Sequence, residues 1–193
     1  MKQWIRNGIW GLALAGSLAG AGTLTMEQQA QQLAKTFGGQ LKSVLQGAMH
    51  SGGPVQALNV CKANAPQIAS TIASTIGMDK GWKVGRTSLK VRNPSNAPDA
   101  WETVVLQQWS QQLAAGTPLA ELKAATVMEM NGKPTFRYMQ AIPTGELCLT
   151  CHGSQLASPV QEALAELYPQ DQATGFKQGD LRGAFTLQKV AEE

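Results

Sequence analysis

Ala124-Ala-Thr-Val-Met-Glu-Met130, then Asn131-Gly132, then Thr135-Phe-Arg-Tyr-Met-Gln-Ala-Ile142 decide the fold class. Asn-Gly tolerates the two positive-φ positions of a tight hairpin turn. The runs on either side supply Thr, Val, Phe, Tyr and Ile, which suit a pleated surface. Two strands joined this way are antiparallel. Helical patterns dominate the chain before this hairpin, and another strand pattern closes it at Gly183 to Val190. Helices first and then an antiparallel sheet make an α+β order.

Working upstream, Asp99-Ala-Trp-Glu102 has the spacing of a capping box and predicts a helix start. Trp101, Val105, Trp109 and Leu113 recur four apart along that helix, and Gly116 ends it. Pro118 can open a short helical piece. From Val84 to Arg92 the period is two, with Arg86, Ser88, Lys90 and Arg92 on one side and Thr87, Leu89 and Val91 on the other. That pattern predicts a half-buried strand. Asn93 to Asp99 reads as a loop.

Further upstream, Leu33, Phe37, Leu41, Val44 and Leu45 give Met26 to Met49 a helical period, weakened at Gly38-Gly39. Ser51-Gly52-Gly53-Pro54 should end it. Leu58, Cys61, Ala65, Ile68, Ile72 and Ile76 then mark a second helix with Cys61 on its apolar face. Pro66 inside it should kink or split that helix. Downstream, Val160 to Tyr168 predicts a short helix.

Cys148-Leu-Thr-Cys151-His152 carries the chemistry. C-x-x-C-H is the pattern for covalent attachment of one c-type haem. Two thiols a turn apart can each form a thioether to a vinyl group, and the adjacent imidazole reaches the iron. A Cys148–Cys151 disulfide would leave His152 and Cys61 without a role. Zinc held by Cys61, Cys148, Cys151 and His152 has the right ligand types, but adjacent ligands at 151 and 152 fit a tetrahedron poorly. Haem uses the three motif residues as they stand, with His152 as the proximal ligand.

The start of the chain agrees with that chemistry. Lys2 and Arg6 precede an apolar stretch from Gly8 to Gly20, and Ala19-Gly20-Ala21 resembles a cleavage site. Residues 1–21 therefore read as a signal peptide and 22–193 as one domain in a periplasm-like compartment. The rival reading is a retained membrane anchor, but the apolar stretch is shorter than the roughly 20 residues of a spanning helix, so cleavage is expected, with no stable membrane span after it. Hydrophobic residues are 43% of the 193, enough for a packed core. The net charge of +3 falls to 3 − 2 = +1 once Lys2 and Arg6 are removed. No basic run suggests nucleic acid.

The second axial position is open at this level. His50 is the other histidine and sits near a helix end. Met49, Met78, Met128, Met130 and Met139 are thioether donors that also serve as core filler. Cys61 is the remaining candidate, and a lone Cys on an apolar face is often only a small hydrophobe.

Gly85-Arg86-Thr87-Ser88-Leu89-Lys90-Val91-Arg92-Asn93-Pro94, with Asn96, Pro98 and Trp101-Glu102, forms a long specific motif. With Cys148-Leu-Thr-Cys151-His152-Gly153 and Gly175-Phe176…Gly179-Asp180-Leu181-Arg182-Gly183-Ala184, it resembles the domain-of-unknown-function family 3365. Those are single-haem c-type proteins with a PAS-like fold, found alone or as the sensory part of signalling proteins. The resemblance covers about Cys61 to Val190. It implies a PAS-like antiparallel sheet with N-terminal helices, and a His/Cys-ligated iron whose sulfur comes from Cys61. Arg is suited to bidentate carboxylate recognition. Arg86 and Arg92 are accordingly candidates for the haem propionates, with Arg137 behind them.

These residues predict an exported protein acting in electron transfer or redox sensing, through a redox or signalling partner protein. A haem domain that binds CO or NO and works through a partner is the alternative. An enzyme is not expected, because the two histidines leave none to serve as an acid–base group at an open site.

Overall fold

The structure is a computed structural model and describes residues 24–75 and 81–191. The expected signal peptide, Ile76 and Met78 lie outside the described residues. Four helices and four strands follow in the order α1 (Met26–Thr75), β1 (Lys83–Thr87), α2 (Ala100–Ala114), β2 (Lys123–Met130), β3 (Lys133–Pro143), α3 (Glu146–His152), α4 (Ser158–Leu167) and β4 (Leu181–Val190). The strands form one antiparallel sheet in the order β1-β4-β3-β2. The α+β class and antiparallel sheet expected from the hairpin are present. Asn131 (φ 52) and Gly132 (φ 72) make the turn between β2 and β3.

Helix α1 is two helices joined where Gly52 and Gly53 leave helical backbone angles. The expected break falls there. The expected split at Pro66 does not occur: the chain remains helical through it, and the non-helical angles are confined to the two glycines. The first half lays Ala30, Leu33, Ala34 and Phe37 against Phe136, Tyr138 and Leu187 of the sheet. Gly38, which weakens the helix intrinsically, is there for contact. A Cβ at that position would lie 2.7 Å from the Phe185 ring. Ile68 and Ile72 of the second half join the same core.

The other face of the sheet is covered by α2, through Val105, Leu106 and Trp109 on Met139, Ala141 and Ala184. Its capping box forms as expected: Asp99 accepts from Glu102 N, and Glu102 accepts from Asp99 N. The box also grips the sheet. Glu102 Oε1 accepts from Arg137 Nη2 at 2.9 Å and from Thr186 Oγ1 at 2.6 Å. Asp99 Oδ2 lies 2.6 Å from Arg137 Nη1, and the guanidinium sits over the Trp101 ring. Glu102→Ala should leave a buried guanidinium short of a partner and cost on the order of 3 kcal/mol. Urea denaturation of the variant measures this, and a cost under about 1 kcal/mol would mean Asp99 alone suffices.

One strand is shorter than its pattern predicts. β1 ends at Thr87, and Ser88 to Arg92 leave the sheet. The cause lies across the ladder. Thr87 pairs with Ala184, and the next residue, Gly183, has φ +150 and no room for a side chain, since a Cβ there would lie 2.3 Å from the Thr87 carbonyl oxygen. Ser88 Oγ then donates to the Arg182 carbonyl at 2.8 Å and accepts from Lys90 N at 3.2 Å. A side chain replaces the ladder bonds and turns the chain towards α3.

Candidate functional site

Helix α3 is two turns long and lies between Gly145 and Gly153. Gly153 is needed, because a Cβ there would be 2.6 Å from the Leu149 carbonyl oxygen that its own N–H bonds at 2.9 Å. Three-residue spacing puts Cys148 and Cys151 on one side of the helix. Cys148 is half-buried and Cys151 buried, and both are free thiols, as is Cys61. The disulfide alternative is therefore absent. The four-ligand zinc alternative is absent too: among the described residues no three His, Cys, Asp or Glu side chains converge as a metal cage.

His152 closes the helix. Its Nδ1 lies 2.6 Å from the Ala173 carbonyl. A carbonyl only accepts, so Nδ1 carries the proton and Nε2 keeps its lone pair. The ring stands edge-on to Phe176, with centroids 6.2 Å apart. Burial, then Arg182 and Arg92, push the imidazole well below its usual pKa, so it stays neutral. A neutral imidazole with one fixed N–H is the form that ligates a metal.

The loop after α4 returns to hold this helix end. Gly175 N donates to Gly153 O, and Phe176 N donates to His152 O, both at 2.9 Å. Gln172 N donates to Val91 O at 2.8 Å, which ties in the segment after β1.

Cys61 comes from the second half of α1. Leu58, one turn before it, packs on Cys151, Val160 and Leu164. Lys62, beside it, donates to the Leu167 carbonyl at 3.0 Å and lies over Tyr168. Burial pushes the Cys61 thiol up, and Arg86 and Arg92 pull it down less strongly. Cys61 in turn acts on Cys151, so the two sulfurs share one environment. The sequence places these residues far apart, and the fold brings them together.

Three arginines converge on the same place. Arg92 Nε and Nη2 face Asp171 at 3.1 and 3.0 Å, and Nη2 also donates to the Cys151 carbonyl at 2.5 Å. Arg86 has no hydrogen-bonded or ion-paired side-chain partner among the described residues, and burial pulls its pKa down. Arg182 was not singled out by strand periodicity, yet it belongs here. It lies over Phe176 at 5.2 Å, and burial with Arg92 and Arg86 lowers its pKa to about 10. Asp171 is the acidic residue paired with this group. The weaker candidate, Arg137, is on the α2 face in the Glu102 network and does not reach the site.

The other axial candidates are spread out. His50 is exposed next to the Gly52-Gly53 break. Met139 is fully buried beneath α2. Met128 and Met130 lie on the edge strand β2, with Met128 against Arg137.

No curated protein matches the chain in sequence. Among solved structures, the crystal structure of the cyanobacterial heme-protein Tll0287 matches with a TM-score of 0.54 and 26% identity. The match covers 86% of this chain and 92% of that one. The Tll0287-like family model spans residues 23–189, and with that extent the chain belongs to the Tll0287-like family.

Proposed function

We propose that this chain is an exported c-type haem protein with a PAS-like domain, acting in electron transfer or redox sensing. The observation that carries the reading is the pinned His152 beside two free thiols one turn apart. The structural relative is itself a heme-protein by name. Cys148 and Cys151 would hold the single haem by thioethers, and His152 Nε2 would be the proximal ligand. Cys61, approaching from α1, would be the second ligand. Arg86 and Arg182, with the Nη1 of Arg92, form a cationic rim suited to two propionates. When bound, the group supplies a one-electron iron couple.

The residues then divide the work. The Ala173 carbonyl orients the imidazole, and Phe176 walls it from water. A Cys61 thiolate would favour the ferric state and lower the potential within the roughly 0.8 V that axial ligands span. No helix among the described residues is long and apolar enough to cross a membrane. We place the protein in the periplasm on the strength of its first 21 residues, with a redox or signalling protein as its partner.

The test is direct. Denatured protein should keep its colour on a gel and give a c-type pyridine haemochrome. Colour lost to acid–acetone would remove the reading. Cys61→Ser should change the ferric spectrum and raise the potential, whereas an unchanged spectrum would exclude Cys61.

The raised Cys61 thiol favours a second reading, the gas sensor. A sulfur released on reduction would take a proton at neutral pH. Carbon monoxide added to dithionite-reduced protein should then shift the spectrum. No shift over hours would leave electron transfer.

A further inference from the structure

The Ala173 carbonyl oxygen accepts two hydrogen bonds. His152 Nδ1–H donates to it at 2.6 Å, and Arg92 Nη2 donates at 3.2 Å. The same Nη2 holds the Cys151 carbonyl at 2.5 Å. Asp171 sits on the far side, its Oδ2 on the guanidinium and its Oδ1 accepting from Ala173 N at 2.8 Å. Arg92 and Asp171 thus grip Ala173 at both its carbonyl and its N–H, on either side of the residue that holds the histidine. Their side chains are 10% and 9% exposed, so water screens the pair little.

We propose that Arg92 and Asp171 are positioning residues that set the electron donation of His152 through the shared Ala173 carbonyl. This rests on the haem reading above. An imidazole whose distal N–H meets a strong acceptor is a stronger donor to a metal. A cation on that acceptor draws density from the oxygen and weakens its pull on the N–H. Asp171 offsets the cation. The two charges therefore hold a balance, and hydrogen bonding around an axial ligand is a lever on haem potential.

Opposite substitutions should tip that balance in opposite directions. Arg92→Gln leaves the carbonyl to His152 alone, strengthens donation and lowers the potential. Asp171→Asn frees Arg92 to pull harder and raises it. Each shift should reach about tenfold in the one-electron equilibrium, about 59 mV. A second readout is the His152 Nδ1–H proton resonance of the 15N-labelled apoprotein. It should move downfield in Arg92→Gln and upfield in Asp171→Asn.

Potential shifts of the same sign would mean that both variants merely loosen the histidine, and would overturn the proposal. Opposite potential shifts with an unmoved resonance would mean through-space charge alone, and would overturn it too. Arg92→Lys covers a failure of Arg92→Gln to fold. It keeps the charge but lacks the planar fork that spans Asp171, Ala173 and Cys151, so it should shift both readouts in the Arg92→Gln direction by less. Wild-type protein without covalent haem would sink the haem reading, and the apoprotein resonances would still decide whether the network governs His152.

Discussion

Protein with alanine at both Cys148 and Cys151 should lose all haem colour on denaturation. Single replacements should each keep a weakened attachment through the remaining thioether. The effect is all-or-none because it removes bonds rather than weakening contacts. The fold should survive the double change. Cys148 is half-buried, and Cys151 packs at the edge of a small cluster with Leu58, Val160 and Leu164. Losing one buried sulfur there costs on the order of 1 kcal/mol. Circular dichroism and a pyridine haemochrome on the same sample separate the two consequences. Covalent haem persisting in the double variant would overturn c-type attachment.

Gly183→Ala should be the most damaging single change to the scaffold. The position combines φ +150 with a Cβ that would lie 2.3 Å from the Thr87 carbonyl oxygen and 2.9 Å from Ser88 Cβ. Backbone strain alone is worth about 1–3 kcal/mol. The clash with backbone leaves no flexible side chain to yield, so the total should be on the order of 4 kcal/mol. The damage should be local to function as well. Thr87 follows Arg86, and Ser88 holds the Arg182 carbonyl. Denaturant midpoints measure the loss of stability. A loss under about 1 kcal/mol would show that β1 can shift without cost.

That corner also marks where the sequence stops being legible. The hairpin, the capping box and the Gly52-Gly53 break are local devices, each written in two to four neighbouring residues, and all three are present. The strand predicted from Val84 to Arg92 stops at Thr87, where the Ser88 hydroxyl takes the Arg182 carbonyl of another strand in place of a ladder bond. Alternation alone cannot report such a partner. Pro66, expected to kink or split the helix, does not split it: one missing backbone bond is tolerated where Ile68 and Ile72 are anchored in the core.

The site divides the same way. Cys148, Cys151 and His152 are a contiguous motif, and a helix presents them together as the spacing requires. Cys61 is visible on an apolar face, but periodicity could not say what it faces. Arg86 and Arg92 both reach the site, by different routes, since the sheet ends between them. Asp171 carries no local pattern, and Phe176 and Arg182 stand in the closing 175–184 motif without any role legible there. They matter because the loop after α4 folds back onto α3, and a glycine-rich stretch from Gly175 to Gly183 was the available hint.

The double-glycine joint and the returning loop together bear on how the protein would be made. The Cys148-Leu-Thr-Cys151-His152 segment is chemically complete in an extended chain. Its surroundings are not: the Lys62–Leu167 contact spans 105 positions and the Ser88–Arg182 contact spans 94. Contacts so distant in sequence close late in folding. An exported chain would therefore present its two motif thiols to the attachment machinery before Cys61 has any neighbour. During that interval Cys61 would be an unpaired thiol, open to mixed disulfides if the compartment is oxidising. Maturation would then become a race between sheet closure and oxidation of that sulfur. On the proposed haem reading, slow-folding variants should accumulate a species in which Cys61 is oxidised and unable to serve as a ligand.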